Sequence, residues 1–199
     1  MRKESRALFI VFEGIDQAGK QTQVERLSSA LSHKGCRVKT ISFPDYDTPI
    51  GREIKRFLEG KKELPIQLRY LLYTANRWER DGDIRKWLSE GYIVISDRYS
   101  ASNLVYGIVQ GLDVDWMLTV EKGLIQPDLT ILIDISERTS LQRKQSNRDI
   151  YEGKIEFLKS VRNAYLELAM KDNWKIINGE QSVDEISKEI RKIIDLLLA

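Results

Sequence analysis

LFIVFEGIDQAGKQTQVERL, residues 8–27, is the stretch on which the fold of this chain turns. Leu8 to Glu13 is a compact apolar run of strand length, and Val24, Leu27 and Leu31 then repeat at the spacing of one helix face until Gly35. Between them lies Gly14-Ile15-Asp16-Gln17-Ala18-Gly19-Lys20-Gln21, a loop with two glycines separated by four residues and a lysine after the second. A glycine loop that leaves a strand and opens a helix is a phosphate cradle. Successive backbone N–H groups wrap a polyphosphate, Gly14 and Gly19 let the main chain approach it, and the helix N-terminus adds a favourable dipole. Lys20 supplies a cation for the outer phosphates. The next position ordinarily carries a hydroxyl for Mg²⁺, but here it is Gln21, followed by Thr22. Either the Gln21 amide folds back to the metal, or Thr22 replaces it, or the metal is held more weakly.

Four further short apolar runs read as strands: Val38 to Phe43, Tyr92 to Ser96, Leu129 to Asp134 and Trp174 to Asn178. Amphipathic stretches separate them. Ile50, Ile54, Phe57 and Leu58 form a helical stripe ending at Gly60, and Leu68, Leu71, Leu72 and Ala75 form another, opened by Pro65 and running to about Trp78. A separate helix is expected before Gly91. The run Val183, Ile186, Ile190, Ile193, Ile194, Leu197 makes a final helix with Ser182 or Asp184 as cap. Strands alternating with helices predict an α/β fold, a five-stranded parallel sheet with helices on both faces, as a single domain.

Composition narrows the function classes. The 199 residues carry 32 basic and 30 acidic side chains, a net charge of +2 that gives no argument for nucleic acid or an anionic membrane as partner. One cysteine, Cys36, cannot form an internal disulfide, and one histidine, His33, makes histidine-based catalysis improbable. Ala7 to Phe12 is too short for a secretion signal or a membrane span, so a reducing cytoplasm is the expected compartment.

Three clusters suggest an acceptor site. Asp97-Arg98-Tyr99 stands at the carboxyl end of the third strand, where ligands of parallel sheets bind. There Asp97 can orient Mg²⁺ through water and Arg98 can clamp an anion. If a helix starts near Ser100, then Tyr99, Asn103 and Tyr106 share a face. The ordinary alternative is a surface salt bridge with core aromatics. Tyr73 and Arg77, one helical turn apart, can stack on a base and donate to its carbonyl, or can equally be core packing beside a solvated charge. Phe43-Pro44-Asp45-Tyr46 is a turn presenting a phenol. Finally Arg138, Arg143, Lys144 and Arg148, set among polar residues, read either as a cationic lid for phosphoryl transfer or as a solvated charge run.

In this order the motifs resemble the thymidylate kinase family over nearly the whole chain: Phe12 to Lys20, Phe43-Pro44, Ala75-Asn76-Arg77-Trp78-Glu79, Asp97-Arg98-Tyr99, Pro127-Asp128-Leu129 and Arg148 to Glu152. The resemblance implies a P-loop nucleoside monophosphate kinase fold with a lid at about residues 138–153. It implies ATP as donor, Mg²⁺, dTMP as acceptor, and a homodimer paired through helices. Gly14, Ile15, Asp16, Gln17, Ala18, Gly19, Lys20, Gln21, Thr22 and Arg143 would then bind ATP. Asp16 would lie near the deoxyribose 3′-hydroxyl and the metal, Tyr73 would stack on thymine, Arg77 would bond its carbonyl, and Arg98 would hold the 5′-phosphate. Asn103 would sit beside the base and Tyr106 would crowd the 2′ position, with Phe43, Pro44, Tyr46, Ser102 and Tyr151 completing the acceptor site. The metal ligands would be Asp97 with Gln21 or Thr22. Gln17 stands where some members carry a catalytic Arg, so a transition-state Arg would come from the lid, as Arg143 or Arg148, and the catalytic residues would be these two with Lys20, Asp16 and Arg98. The rival readings are a kinase for another nucleotide or a deoxynucleoside, and a weakly catalytic nucleotide-binding regulator, for which Gln21 is the argument.

Overall fold

A computed structural model describes residues 7–143 and 155–198. The elements run β1 (Leu8–Glu13), α1 (Lys20–His33), β2 (Val38–Ser42), α2 (Pro49–Leu58), α3 (Ile66–Ser89), β3 (Ile93–Asp97), α4 (Ser100–Val109), α5 (Val114–Glu121), β4 (Leu129–Asp134), α6 (Glu137–Arg143), α7 (Ile155–Lys171), β5 (Lys175–Asn178) and α8 (Val183–Leu198). The five strands form one parallel sheet in the order β2-β3-β1-β4-β5, as the alternating pattern predicts. β1 is central because it is apolar on both sides. Leu8, Ile10 and Phe12 join the core with Val24, Leu27, Val161, Ile186 and Ile190, whereas Phe9 and Val11 pack opposite them with Ile84, Val94 and Tyr99. β1 lies between β3 and β4, and the chain returns to the sheet first on the β3 side, at β2 and β3, and later on the β4 side, at β4 and β5, which opens a crevice beyond the carboxyl end of β1. Asp128 locks the other end, its carboxylate accepting from Phe9 N at 2.7 Å while its own N–H donates to Phe9 O at 2.8 Å.

Three expectations about helices change. The two helices predicted around residues 68–90 are one, α3, of 24 residues. Its buried face carries Thr74, Arg77 and Asp81 between Tyr70 and Ile84, so the apolar stripe lapses although the helix continues. Two helices come in addition. α5 is opened by Asp113, whose side chain accepts from Trp116 N, and α7 buries Leu158, Val161, Tyr165 and Ala169. For α8 the cap is Ser182 rather than Asp184: Ser182 Oγ accepts from Glu185 N at 3.3 Å and Glu185 Oε2 accepts from Ser182 N at 3.0 Å, a reciprocal capping box.

Candidate active site

The glycine loop takes the shape its sequence demands. Gly14 has φ 142°, and a Cβ there would lie 2.5 Å from Ile133 O, so no side chain fits between the loop and β4. Gly19 has φ 91° and Gln17 φ 63°, left-handed conformations that turn the main chain around the N-terminus of α1. Lys20 is buried and its Nζ donates to Gly14 O at 3.1 Å and Ile15 O at 3.0 Å. Desolvation, aided by the nearby Arg98 charge, lowers its pKa to about 8 despite the opposing Asp97, Asp16 and Glu13. Around this loop lies an open cavity lined by Asp16 through Glu25, with Asp97, Arg98 and Arg143 on its walls. Arg143, the last residue of α6, donates from Nη1 to Gln17 O and from Nη2 to Gly179 O, both at 3.0 Å, which brings a cation to the loop. Gln21 and Thr22 both border this cavity on exposed positions. The Gln21 amide nitrogen donates to Glu25 Oε1 at 3.0 Å, along the helix surface.

A second cavity opens on the other side of Asp16 and Arg98. It is lined by Phe43, Pro44, Tyr46, Tyr73, Arg77, Ser102, Asn103 and Tyr106, all expected from sequence, together with Leu58, Tyr70, Asn76 and Tyr99. Five residues line both cavities: Asp16, Phe43, Pro44, Tyr46 and Arg98.

Arg98 is positioned with care at this junction. Its φ of 66° is secured by its N–H donating to Phe12 O and its carbonyl accepting from Ser96 Oγ. Its guanidinium donates to Gly14 O and Ser102 Oγ at 3.0 Å, to Tyr165 OH at 3.2 Å and to Asp16 Oδ1 at 2.5 Å. Tyr106 OH donates to the other Asp16 oxygen at 3.0 Å. Burial alone would raise the Asp16 pKa, but the Arg98 and Lys20 charges and these hydrogen bonds outweigh it and hold the carboxylate ionised below its ordinary range. Beneath Arg98 sits Glu13, fully buried, which sequence reasoning passes over as the last residue of a strand. Its carboxylate accepts from Tyr99 N, Ser102 N, Ser102 Oγ and Tyr165 OH. Burial raises its pKa even against the Arg98 charge. The signal in the sequence is an acid closing an otherwise apolar strand.

At the far end, Arg77 is not beside solvent. It is buried and bidentate on Glu121, donating from Nε at 3.1 Å and also from Nη2. Glu121 is the second acid that sequence reasoning missed, because it lies on α5, a helix without an evident stripe. Burial would raise its pKa, yet Arg77 and the hydroxyl hydrogen bonds hold it below the ordinary value. Tyr73 packs edge-on against Tyr70, ring centroids 5.9 Å apart. Asn76 pins the Phe43–Tyr46 turn to α3, accepting from Asp45 N at 2.8 Å and donating to Asp45 O and Thr48 Oγ1. Ser102 lines the cavity, but its hydroxyl is engaged under Arg98 by Glu13 and Tyr165. Asp97 ends β3 beside the loop with one carboxylate oxygen, Oδ1, buried and without a hydrogen-bond partner among the described residues. Of the expected lid, residues 138–143 are the body of helix α6. Arg148 and Tyr151 lie outside the described residues.

The model of the family described as Thymidylate kinase matches residues 12–190 of this chain. The chain belongs to the thymidylate kinase family. The family's enzyme from Dictyostelium discoideum is 40% identical over 191 residues, covering 96% of this chain and 86% of that protein. The human thymidylate kinase is 32% identical over 190 residues, covering 94% and 89%. The solved structure of the thymidylate kinase from Candida albicans, described as revealing the origin of broad substrate specificity, superposes with a TM-score of 0.85 at 32% identity, covering 96% of this chain and 92% of that one. This member of the family is therefore an enzyme with the family's P-loop kinase fold. Among its described residues no helix is long and apolar enough to cross a membrane.

Proposed function

We propose that this chain transfers the γ-phosphoryl group of ATP to the 5′-phosphate of dTMP, giving dTDP and ADP, with ATP in the loop cavity and dTMP in the cavity beyond Asp16 and Arg98. The observation that carries this placement is the confluence of the two cavities at those two residues. Of the five shared residues these two carry charge, so a nucleoside monophosphate in one cavity and a triphosphate in the other would meet beside them, phosphate to phosphate. One oxygen of the acceptor phosphate forms the new bond to Pγ, the bond from Pγ to the β-phosphate oxygen breaks, and ADP leaves with the electron pair. The attacking group is already an anion, so no general base is required and catalysis is alignment and charge stabilisation. Arg98 holds the acceptor phosphate, Lys20 and the loop N–H groups hold the outer donor phosphates, and Arg143 approaches from the end of α6. Asp16, ionised and fixed by Arg98 and Tyr106, keeps the two phosphates in register and faces the sugar. Tyr106 beside it disfavours a 2′-hydroxyl, while Tyr73 and Arg77 take the base.

Mg²⁺ fits the donor cavity. The unpaired Asp97 Oδ1 is a hard oxygen ligand beside the loop, and such a cation is commonly held by one or two carboxylates together with substrate phosphates. When bound with ATP it neutralises charge on the transferring group. Asp97 would hold it with Gln21 or Thr22, and the exposed Gln21–Glu25 hydrogen bond is weak enough to yield. A cytoplasmic site of action accords with the single free thiol, Cys36, and with a supply of both nucleotides.

An ADP-release assay tests the whole reading. With ATP and titrated Mg²⁺, we expect turnover to be highest with dTMP, lower with dUMP and dCMP, and absent with thymidine, which lacks the acceptor phosphate. ADP release that proceeds equally without any acceptor overturns it, and release with thymidine moves the acceptor from phosphate to hydroxyl.

A further inference from the structure

Glu121, the last residue of α5, does not line the acceptor cavity, yet it fixes two residues that do. Its Oε2 accepts from Arg77 Nε at 3.1 Å, and its Oε1 accepts from Arg77 Nη2, from Asn103 Nδ2 at 2.7 Å and from Thr74 Oγ1 at 2.8 Å. The carboxylate thus ties α3 to α4 at one buried point. An ionised carboxylate only accepts hydrogen bonds, so the amide of Asn103 must present Nδ2 to it. Thr74 Oγ1, whose hydrogen is already given to Glu121, accepts a second bond from Nδ2 at 3.1 Å and reinforces that orientation. Oδ1 is then turned away, and it is buried without a hydrogen-bond partner among the described residues. Arg77, gripped through Nε and Nη2, is left with Nη1 as its outer donor. The wall of the acceptor cavity therefore offers a cationic donor on Arg77 and a neutral acceptor on Asn103.

We infer that Glu121 is a specificity-determining positioning residue: by fixing Arg77 and the amide orientation of Asn103, it sets the hydrogen-bond polarity against which the nucleobase is read. The inference rests on the acceptor-site placement proposed above. A base with a carbonyl at position 4 and a ring N–H at position 3, as in thymine and uracil, complements that polarity. Cytosine presents the reverse, an amino donor and a bare ring nitrogen, so it sets donor against Arg77 and lone pair against Oδ1. Buried groups left unpaired in this way cost more than a mere loss of contact.

The test compares dUMP with dCMP, which differ only along this edge, and includes dTMP. Glu121→Gln can both donate and accept, so it frees the Asn103 amide to rotate. We expect its dUMP-to-dCMP ratio of kcat/KM to fall by roughly tenfold or more. The change should come through KM for dUMP and dTMP, with KM for ATP near the wild-type value. Glu121→Asp keeps the charge one methylene short and should fall between the two; it decides the matter if Glu121→Gln shows no folding transition. An unchanged ratio in the folded variants overturns the inference. So does an equal loss of kcat on all acceptors, which a purely structural role would produce. Arg77→Met is measured alongside. If it leaves KM for dTMP and the ratio unaltered, the acceptor-site placement itself fails; if it raises KM while the Glu121 variants keep the ratio, only the role of Glu121 fails.

Discussion

At Lys20, burial that suits a phosphate site also weakens the charge the site uses. Its pKa is lowered from 10.5 to about 8, first by desolvation. In the free enzyme the ammonium is therefore lost as pH rises through about 8, whereas bound phosphates favour the charged form and restore it. We predict that ATP binding near pH 8.5 takes up protons, that ATP affinity weakens above about pH 8, and that Lys20→Met abolishes the uptake along with most activity. Calorimetry in buffers of different ionisation enthalpy measures this; equal proton uptake in wild type and Lys20→Met would refute it. Between the two pKa values the unfolded chain binds more protons at Lys20, so its contribution to stability rises with pH there. The strand–loop–helix turn of Gly14, Gly19 and Lys20 was legible in the sequence because it depends on local backbone shape. The partners of Arg77 and Arg98 were not. Glu13 and Tyr165 are 152 residues apart, and Arg77 and Glu121 are 44 apart, so no spacing rule links them.

Among the elements, α2 and α3 show how the acceptor site is built from helix packing. α2 begins at Thr48, whose Oγ1 accepts from Gly51 N at 3.0 Å, with Pro49 in the first turn. A Cβ on Gly51 would come within 1.7 Å of Asp45 O and 2.9 Å of Tyr46 Cα, both main-chain atoms of the turn that borders the two cavities. In an open helix position Gly→Ala stabilises by roughly 0.5–1 kcal/mol. Here we expect Gly51→Ala to destabilise by about 1–3 kcal/mol and to raise KM for dTMP, as the turn carrying Pro44 and Tyr46 is displaced. Gly82→Ala in α3, where a Cβ meets no atom within 4 Å, should be neutral or stabilising. Thermal melts and acceptor kinetics of the pair check both halves, and an unperturbed Gly51→Ala enzyme would refute the packing argument. α3 also explains a misreading: Thr74 and Arg77 on its inner stripe bond Glu121 and Asp81 accepts from Ile125 N, so that face is polar, and apolar periodicity marks only faces that meet an apolar core.

For the whole molecule, α3, α5 and α7 leave large apolar side chains in contact with solvent: Leu68 and Leu71 at 41% and 40% exposure, Leu118 at 53% and Met170 at 66%. The family resemblance implies a homodimer paired through helices, and we propose that such side chains contribute to that interface. We predict a sedimentation-equilibrium mass of twice the 23.1 kDa chain, and a monomer at micromolar concentration would refute it. The amino-acid sequence by itself determined the parallel α/β architecture, the glycine loop between β1 and α1, and most of the residues that line the cavity beyond Asp16 and Arg98. Strand runs, glycine placement and helical spacing are local properties and survive in a linear string. Tertiary structure alone decided that α3 is unbroken, that Glu13 lies under Arg98, and that Glu121 grips Arg77 and Asn103. Those facts come from burial, where a charged side chain leaves water only with partners that satisfy it, and the partners come from elements that folding, not sequence proximity, brings together.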